Sequence, residues 1–137
     1  MDHLTKDQRS DNMARIKGLN TKPELIVRSL LHRQGFRFRI NKKALPGKPD
    51  IVLPKYKTVI FVHGCFWHQH SGCKRSNIPK SNTEYWVAKL NRNKTRDVKN
   101  ECLLKQLGWK VIVIWECETK NESVLLQKYI NKIKKLS

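Results

Sequence analysis

The fold is decided by residues 50–63, which read Asp50-Ile51-Val52-Leu53-Pro54-Lys55-Tyr56-Lys57-Thr58-Val59-Ile60-Phe61-Val62-His63. Two apolar runs, rich in β-branched residues, flank a short turn at residues 54–57, and this pattern predicts two strands in an antiparallel hairpin. The first run begins with an acid and the second ends with a histidine. Such a hairpin would bring Asp50 and His63 close together.

On the N-terminal side, the sequence predicts a polar arm, a helix and a strand. Residues 1–20 are polar, and we expect an arm that becomes ordered on its substrate. Residues 21–24 read Thr-Lys-Pro-Glu, a capped helix start with Glu24 as the capping-box acid. The helix is predicted to run to about residue 34 and to end at Gly35, and residues 36–40 alternate like a strand with one wet face.

On the C-terminal side, an irregular segment precedes a long helix. Residues 64–80 are rich in Cys, His and Gly and match no regular period. A second capping box at residues 81–84 predicts a helix that continues to about residue 107 and is ended by Gly108.

The last two predicted elements complete the fold class. Residues 109–115 form the most apolar strand, and residues 125–136 carry the apolar positions of an amphipathic helix. The order helix, three strands, helix, strand, helix predicts an α/β fold, a mixed sheet flanked by helices, with residues 21–137 as one domain. Restriction-endonuclease-like nucleases share this order, although a shared fold does not by itself establish a function.

The charge of the chain favours a polyanionic partner. Its 137 residues include 29 Lys and Arg against 11 Asp and Glu, giving a net charge of +18. Contact with phosphates releases counterions, so nucleic acid is favoured over a merely solvated basic surface. A membrane partner is not expected, because no amphipathic segment combines a bulky apolar face with basic flanks.

The termini and the cysteines bear on the compartment. Residues 1–17 lack the apolar core of a signal peptide, and no stretch has the apolar length of a membrane span. We therefore expect an intracellular protein. In a reducing compartment, its four cysteines are expected to be metal ligands or core residues rather than disulfides.

The strongest chemical signal is a cluster of metal-ligand residues. The segment reads Cys65-Phe66-Trp67-His68-Gln69-His70-Ser71-Gly72-Cys73, and Cys117 follows the last strand. Four protein ligands would make a closed, structural Zn²⁺ site. The proposed ligands are Cys65, His70, Cys73 and Cys117. The alternative of a free cysteine in the core suits the mid-helix Cys102.

Asp50 stands out among the acids because it begins an apolar strand. Asp is common at turns and strand starts, but its carboxylate is also the hard oxygen ligand that Mg²⁺ needs beside a phosphate. The loop before it is basic, and Lys48 would suit a DNA backbone. His63 and His68 are not needed for zinc, and imidazoles near Asp50 can transfer protons. Glu24 fits a capping role at least as well as a catalytic one.

Phe66 and Trp67 are two large aromatic residues side by side in the cysteine-rich loop. Such a loop cannot easily bury both side chains. They either cover the zinc site or, on a DNA-binding surface, insert between base pairs. The sequence pattern alone leaves both interpretations open.

Several segments together resemble the very short patch repair (Vsr-type) DNA mismatch endonucleases. They read Phe61-Val62-His63-Gly64-Cys65-Phe66-Trp67-His68, Leu45-Pro46-Gly47-Lys48-Pro49-Asp50, Leu107-Gly108-Trp109 with Val113-Ile114-Trp115-Glu116-Cys117, and Asn12-Met13 followed by Ile16. The resemblance spans residues 8–120, and the joint occurrence of these segments in order is highly specific.

The resemblance implies a nuclease that nicks double-stranded DNA next to the T of a T:G mismatch, which arises when 5-methylcytosine deaminates. It implies that Asp50 binds Mg²⁺, that His68 acts in proton transfer at the scissile phosphate, and that His63 and Glu24 support the site. The zinc ligands it implies are again Cys65, His70, Cys73 and Cys117. The residues similar to those that intercalate beside the mismatch are Met13, Phe66 and Trp67.

The resemblance also implies a setting: a bacterial cytoplasmic protein, associated with the nucleoid while on DNA. We expect a monomer, with repair-pathway proteins as further partners. The sequence departs from the family at Val62, where the best-known members carry Thr, so Mg²⁺ would have to use the Val62 main-chain carbonyl. The usual acid-then-lysine strand pattern is absent after Asp50, and His63 and His68 would have to replace it.

Two alternative functions remain open from the sequence. One is a restriction-type or structure-specific nuclease on the same fold, which would cleave matched DNA equally well. The other is a non-enzymatic, zinc-stapled DNA-binding module, in which Asp50 and His68 would be dispensable.

Overall fold

The computed structural model describes residues 21–40 and 44–135. The predicted arm at residues 1–20, including Met13, lies outside the described residues. The first helix, α1 (Lys22–Arg33), begins where the sequence predicts, because the Thr21 hydroxyl accepts a hydrogen bond from the Glu24 amide at 3.5 Å. It ends before Gly35, whose φ of +84° lies in the left-handed region that favours glycine.

A mixed sheet of four strands forms the centre of the fold. In spatial order the strands are β1 (Arg39–Ile40), β2 (Ile51–Leu53), β3 (Thr58–His63) and β4 (Lys110–Trp115). The first three are antiparallel neighbours, whereas β4 runs parallel to β3. The predicted antiparallel hairpin is confirmed, with Ile51 opposite Ile60.

The parallel pair β3–β4 requires a long crossover, and helix α2 (Thr83–Gln106) supplies it. After β4 come a 3₁₀ turn (Glu116–Lys120), α3 (Glu122–Leu125), a π-helical turn (Leu126–Ile130) and α4 (Asn131–Lys135). The predicted final helix is confirmed in position, but the π turn interrupts it. In the part of the chain described, no helix combines the length and apolarity needed to cross a membrane.

Helices cover both faces of the sheet. On one face, α1 and the C-terminal helices bury the main core. Its members include Val27, Leu30, Leu31, Ile51, Leu53, Ile60, Ile114, Leu125, Ile130 and Ile133. On the other face, Leu104 of α2 packs against Val52 and Val59. Successive strand residues therefore point to opposite layers, and the predicted mixed α/β fold is confirmed.

Three local predictions are wrong. The first strand is shorter than 36–40, because the Phe36 amide donates to the Leu31 carbonyl at 3.0 Å and so closes the helix end. The second capping box is not formed: Asn82 precedes α2 in a left-handed conformation (φ +55°) without a side-chain cap. Cys102 is exposed on α2 rather than buried in the core.

Candidate active site and metal centre

Asp50 immediately precedes β2, and β3 continues past the first residue of β2. Its carboxylate accepts a hydrogen bond from the main-chain amide of Val62 at 2.7 Å. The last pairing of this ladder joins Ile51 to Ile60, so the Val62 amide lies just beyond it. The carboxylate replaces the missing strand as an acceptor, which holds Asp50 near the carboxyl end of β3.

A second carboxylate, Glu24 of α1, interacts with Asp50. Glu24 is 1% exposed and accepts a charge-assisted hydrogen bond from Arg28 at 2.9 Å. Burial, followed by the charge of Glu24, raises the pKa of Asp50 from 3.8 to about 7, against the lowering effects of the Val62 amide and Arg28. Ionising both carboxyl groups is therefore unfavourable, and a divalent cation between them would relieve this repulsion.

His63, the residue after Val62, forms a stacked pair with His68. Their ring centres are 3.7 Å apart, and their planes differ by 6°. Burial, and after it the electrostatic interaction with His68, lowers the pKa of His63 from 6.5 to about 4. The His63 ring is therefore neutral at physiological pH, and its stacking restricts the orientation of the His68 ring.

Asp97 of α2 completes this group, and the sequence analysis did not predict it. Its carboxylate lies 2.5 Å from Nδ1 of His68, so a ring N–H at Nδ1 would donate to it and leave Nε2 free to exchange protons. The only signal in the sequence is an acid, a poor helix former, inside a helix dominated by Lys and Arg. His63, His68 and Asp97 place their ligand atoms within 4.8 Å of one another.

The predicted thiol and imidazole ligands also come together. The thiol cluster consists of Cys65, His70, Cys73 and Cys117, whose ligand atoms lie within 4.8 Å of one another. Nδ1 of His70 is 3.7 Å from Sγ of Cys65 and 3.5 Å from Sγ of Cys117. This set could hold a metal ion, and its chemistry matches a closed tetrahedral site.

Main-chain turns gather the local members of the thiol cluster. The His70 amide donates to the Cys65 carbonyl at 2.9 Å, and the Cys73 amide donates to the His70 carbonyl at 3.3 Å. Gly72 takes a left-handed φ of +75° within this turn. Cys117 comes from the 3₁₀ turn after β4, so the cluster joins the irregular loop to the end of that strand.

Trp115 lies between the histidine pair and the thiol cluster. It is opposite His63 in the β3–β4 register, and the two rings meet edge to face at 5.3 Å. The same indole stacks on His70, with ring centres 4.2 Å apart and planes 9° from parallel. Trp115 therefore couples the position of His70 in the thiol cluster to that of His63 through direct ring contacts.

Phe66 and Trp67 pack with Trp86 of α2, and we refer to these three residues as the aromatic cluster. Their ring centres are between 5.2 and 5.9 Å apart. Trp67 remains 47% exposed, and its carbonyl accepts a hydrogen bond from Asn93 at 3.2 Å. The cluster is thus anchored to α2 beside His68 and presents an indole to solvent.

The remaining predicted site residues differ in their placement. Lys48 is exposed, and its loop is held against α2 at Gly47, where an added Cβ would lie 3.0 Å from Cβ of Asn100. Met13 lies outside the described residues. The structure brings Asp50 and Glu24 together at the Val62 amide, and it stacks His68 on His63, the residue after Val62.

The chain matches known proteins over most of its length. Residues 1–75 match the family described as DNA mismatch endonuclease Vsr. The type II nicking enzyme V.NmeAIP of Neisseria meningitidis is 53% identical over 127 residues, covering 93% of this chain and 90% of that protein. The type II nicking enzyme V.XorIIP of Xanthomonas oryzae is 49% identical over 117 residues, covering 85% of each chain.

A third relative is the DNA mismatch endonuclease Vsr of Escherichia coli. It is 42% identical over 120 residues, covering 88% of this chain and 76% of that protein. These matches extend through both groups of ligand residues, and they confirm the resemblance predicted from the sequence. This chain belongs to the DNA mismatch endonuclease Vsr family.

Proposed function

We propose that this protein is a Mg²⁺-dependent endonuclease that nicks double-stranded DNA next to the T of a T:G mismatch. The observations that carry the proposal are a buried carboxylate pair, Asp50 and Glu24, bonded through Asp50 to the Val62 amide of β3, and a His68–Asp97 pair stacked on the next residue, His63. Family membership supports the class of reaction. We retain residues 21–137 as the nuclease domain and residues 1–20 as a DNA-contacting arm.

Asp50 and the main-chain carbonyl of Val62 are the proposed Mg²⁺ ligands. The amide and carbonyl of one strand residue point to the same side. The Val62 carbonyl is therefore expected to point to the same side as the Val62 amide, towards Asp50. On that side, β3 extends past the first residue of β2. A ligand from the main chain does not depend on a hydroxyl at residue 62. When bound, Mg²⁺ would polarise the scissile phosphate and stabilise the leaving oxygen.

His68 is the proposed proton-transfer residue. Asp97 holds Nδ1 of its ring, which leaves Nε2 to accept a proton from an attacking water. His63 is neutral, because burial lowers its pKa to about 4. It therefore adds no positive charge that would oppose Mg²⁺ binding. We assign it the role of holding the His68 ring by stacking, while Glu24 adds the negative charge that favours a cation beside Asp50.

We propose that the thiol cluster holds a structural Zn²⁺. Burial raises the pKa of the Cys65 thiol to about 12, so formation of its thiolate depends on a bound cation. Four protein ligands leave no position for a reacting water. The bound ion would fix the loop that carries the aromatic cluster and His68.

The aromatic cluster is the proposed source of mismatch selectivity. A T:G wobble pair distorts the stack and is cheaper to open than a matched pair, so an inserted ring distinguishes the two through deformability. Trp67 has the exposure that insertion needs. Met13, from the arm, is proposed to insert as well. Contacts to base edges would supply the remaining discrimination, because a wedge alone accepts other mismatches.

Incubation of the protein and Mg²⁺ with labelled duplexes tests this function. The duplexes differ at one pair: T:G, a matched pair, or another mismatch. We expect one nick next to the T of T:G, and much slower cleavage of the other two. Equal cleavage of matched DNA would instead support a restriction-type nuclease, and tight binding without cleavage would support a DNA-binding module. Gel filtration with and without DNA tests the expectation of a monomer.

A further inference from the structure

One side of α2 carries a continuous row of cations, which we call the basic stripe. Its members are Lys89, Arg92, Arg96 and Lys99. Their spacings of three, four and three residues place them on one face of the helix. At 1.5 Å of rise per residue, the stripe is about 15 Å long.

The basic stripe runs from the aromatic cluster towards the loop that carries Lys48. At its first end, the Lys89 ammonium lies 5.4 Å from the centre of the Trp67 ring, so the stripe begins at the aromatic cluster. Arg96 donates to the side chain of Asn93 at 3.0 Å, and Asn93 holds the Trp67 carbonyl. At its other end, Asn100 follows Lys99 and contacts the loop that carries Lys48.

The opposite flank of α2 differs in charge. Its cations are Lys94 and Lys105, and Lys105 is paired with Glu101 at 3.0 Å. Val98, on the same flank, is 62% exposed. Four of the six cations of α2 therefore lie in the stripe, so the positive charge is not spread evenly around the helix.

The four cations of the basic stripe are also available to a ligand. Within residues 21–40 and 44–135, none of them forms an ion pair. Arg92, Arg96 and Lys99 line one open surface depression. Like charges at this spacing, as at Arg92 and Arg96, destabilise a helix slightly. A polyanion would remove that repulsion, and about 15 Å corresponds to several phosphate steps of one DNA strand.

We propose that the basic stripe is a phosphate track that holds the DNA backbone beside the cut site. The proposal rests on the proposed function, since the bound duplex is the substrate, and it adds how that substrate is positioned. Contacts to phosphate carry no base information but fix the register of a duplex on a protein. The stripe would set which base step the aromatic cluster meets, while Lys48 would contact the backbone at the far end.

Salt dependence of DNA binding tests the stripe. Affinities are measured in magnesium-free buffer across about 50 to 200 mM NaCl, for wild type, for Arg92→Ala/Arg96→Ala and for the charge-matched control Lys94→Ala/Lys105→Ala. Each lost phosphate contact lowers the slope of log affinity against log salt by about 0.9. The stripe variant should therefore show a slope shallower by about 1.8, and the control should change by less than about 0.5.

Two further variants keep the result interpretable. Arg92→Lys/Arg96→Lys retains both charges and should retain most of the wild-type slope. If the alanine variant melts early by circular dichroism, Arg92→Gln/Arg96→Gln replaces it. Equal slope changes in the stripe and control variants would overturn the proposal, as would an unchanged slope in a folded stripe variant.

The nicking assay separates this proposal from the function on which it rests. Suppose that the wild type nicks the T:G duplex, and that the salt slopes of the stripe variant and the control variant are equal. This result would contradict the phosphate track and leave the proposed function unaffected. DNA binding that depends on the stripe, without any nicking in Mg²⁺, would contradict the proposed function and still support the phosphate track.

Discussion

The thiol cluster and the carboxylate pair both lie near the carboxyl end of β3, but they gather their groups in different ways. Three members of the thiol cluster come from one short loop, at positions 65, 70 and 73. The carboxylate pair instead joins the start of β2 to α1, and burial holds the pKa of Asp50 at about 7. A closed ligand set is built to keep a metal and add stability, whereas buried carboxyl groups oppose folding until a cation arrives.

This difference predicts opposite responses to mutation. Loss of a thiol should damage the fold and activity together, because binding energy at such a site is folding energy. Loss of a carboxylate should remove activity and leave the fold intact or more stable, which is the usual trade-off at a functional site. Trp115, in contact with His63 and His70, links the thiol cluster to the stacked histidine pair.

The largest expected effect is on catalysis. Asp50→Asn keeps an acceptor for the Val62 amide but removes the negative charge proposed to bind Mg²⁺. We expect the single-turnover nicking rate to fall by at least about 10³-fold, since metal stabilisation is worth several kcal/mol. DNA affinity should stay within about threefold, because the contacts of Lys and Arg to phosphate remain. Nicking at a near-wild-type rate would place the metal elsewhere.

The thiol cluster should respond in its fold. Cys73→Ala should lose the bound zinc and lower the free energy of unfolding by roughly 4 kcal/mol, as is typical when a structural metal is lost. Elemental analysis and thermal melting measure the two effects. Cys102→Ala is the matched control, since its thiol is exposed and outside the cluster. A Cys73→Ala protein with wild-type zinc content and melting would contradict the assignment.

The sequence allowed the thiol cluster to be predicted more fully than the active site. Its ligands are close in the chain and have few other roles, and the hairpin that leads to it follows from local apolar patterning. The restriction-endonuclease-like fold was predicted from the same local patterning, and the strand order and the family match confirm it. Asp97, by contrast, is 29 residues from His68, and only the packing of α2 brings them together. Glu24 was ambiguous because a capping pattern explains an acid at that position equally well.

Asp97 gives a smaller and more specific prediction. Asp97→Asn keeps the size of the side chain but lets the His68 ring adopt other tautomers. We expect the nicking rate to fall by about 10- to 100-fold, the usual cost of losing a residue that orients a functional histidine. The pH dependence of the rate should also change, which a purely structural role would not produce. Retention of both rate and pH profile would leave His68 without the proposed partner.

The aromatic cluster is expected to affect selectivity by about one order of magnitude. Trp67→Ala removes an exposed indole, and stacking on a base is worth about 1 to 3 kcal/mol. The ratio of T:G to matched-duplex affinity should therefore shrink by about tenfold, measured at one salt concentration. Leu107→Ala, which removes an apolar side chain that is 57% exposed, is the control. An equal loss of affinity for both duplexes would show that the Trp67 indole does not discriminate between them.

The last prediction concerns the free energy of unfolding. Its direction of change with pH distinguishes the carboxylate pair from the thiol cluster. The folded pKa of Asp50, about 7, lies above its ordinary value of 3.8. Between these values the folded protein keeps a proton that the unfolded chain has released, so the free energy of unfolding falls as the pH rises from about 4 to about 7. Above that range the carboxylate is ionised in a buried site, and the loss is complete.

Asp50→Asn removes this titration and should therefore be more stable than wild type at pH 8 in magnesium-free buffer. The advantage should vanish near pH 4, where wild-type Asp50 is protonated in the folded state. Adding Mg²⁺ at pH 8 should raise the melting temperature of wild type and not that of the variant. The difference in stability between the two proteins should therefore become smaller. Glu122→Gln, at an exposed acid, should show neither response. A variant less stable than wild type at pH 8 would mean that ionised Asp50 is stabilised by its surroundings, and the contrast with the thiol cluster would fail.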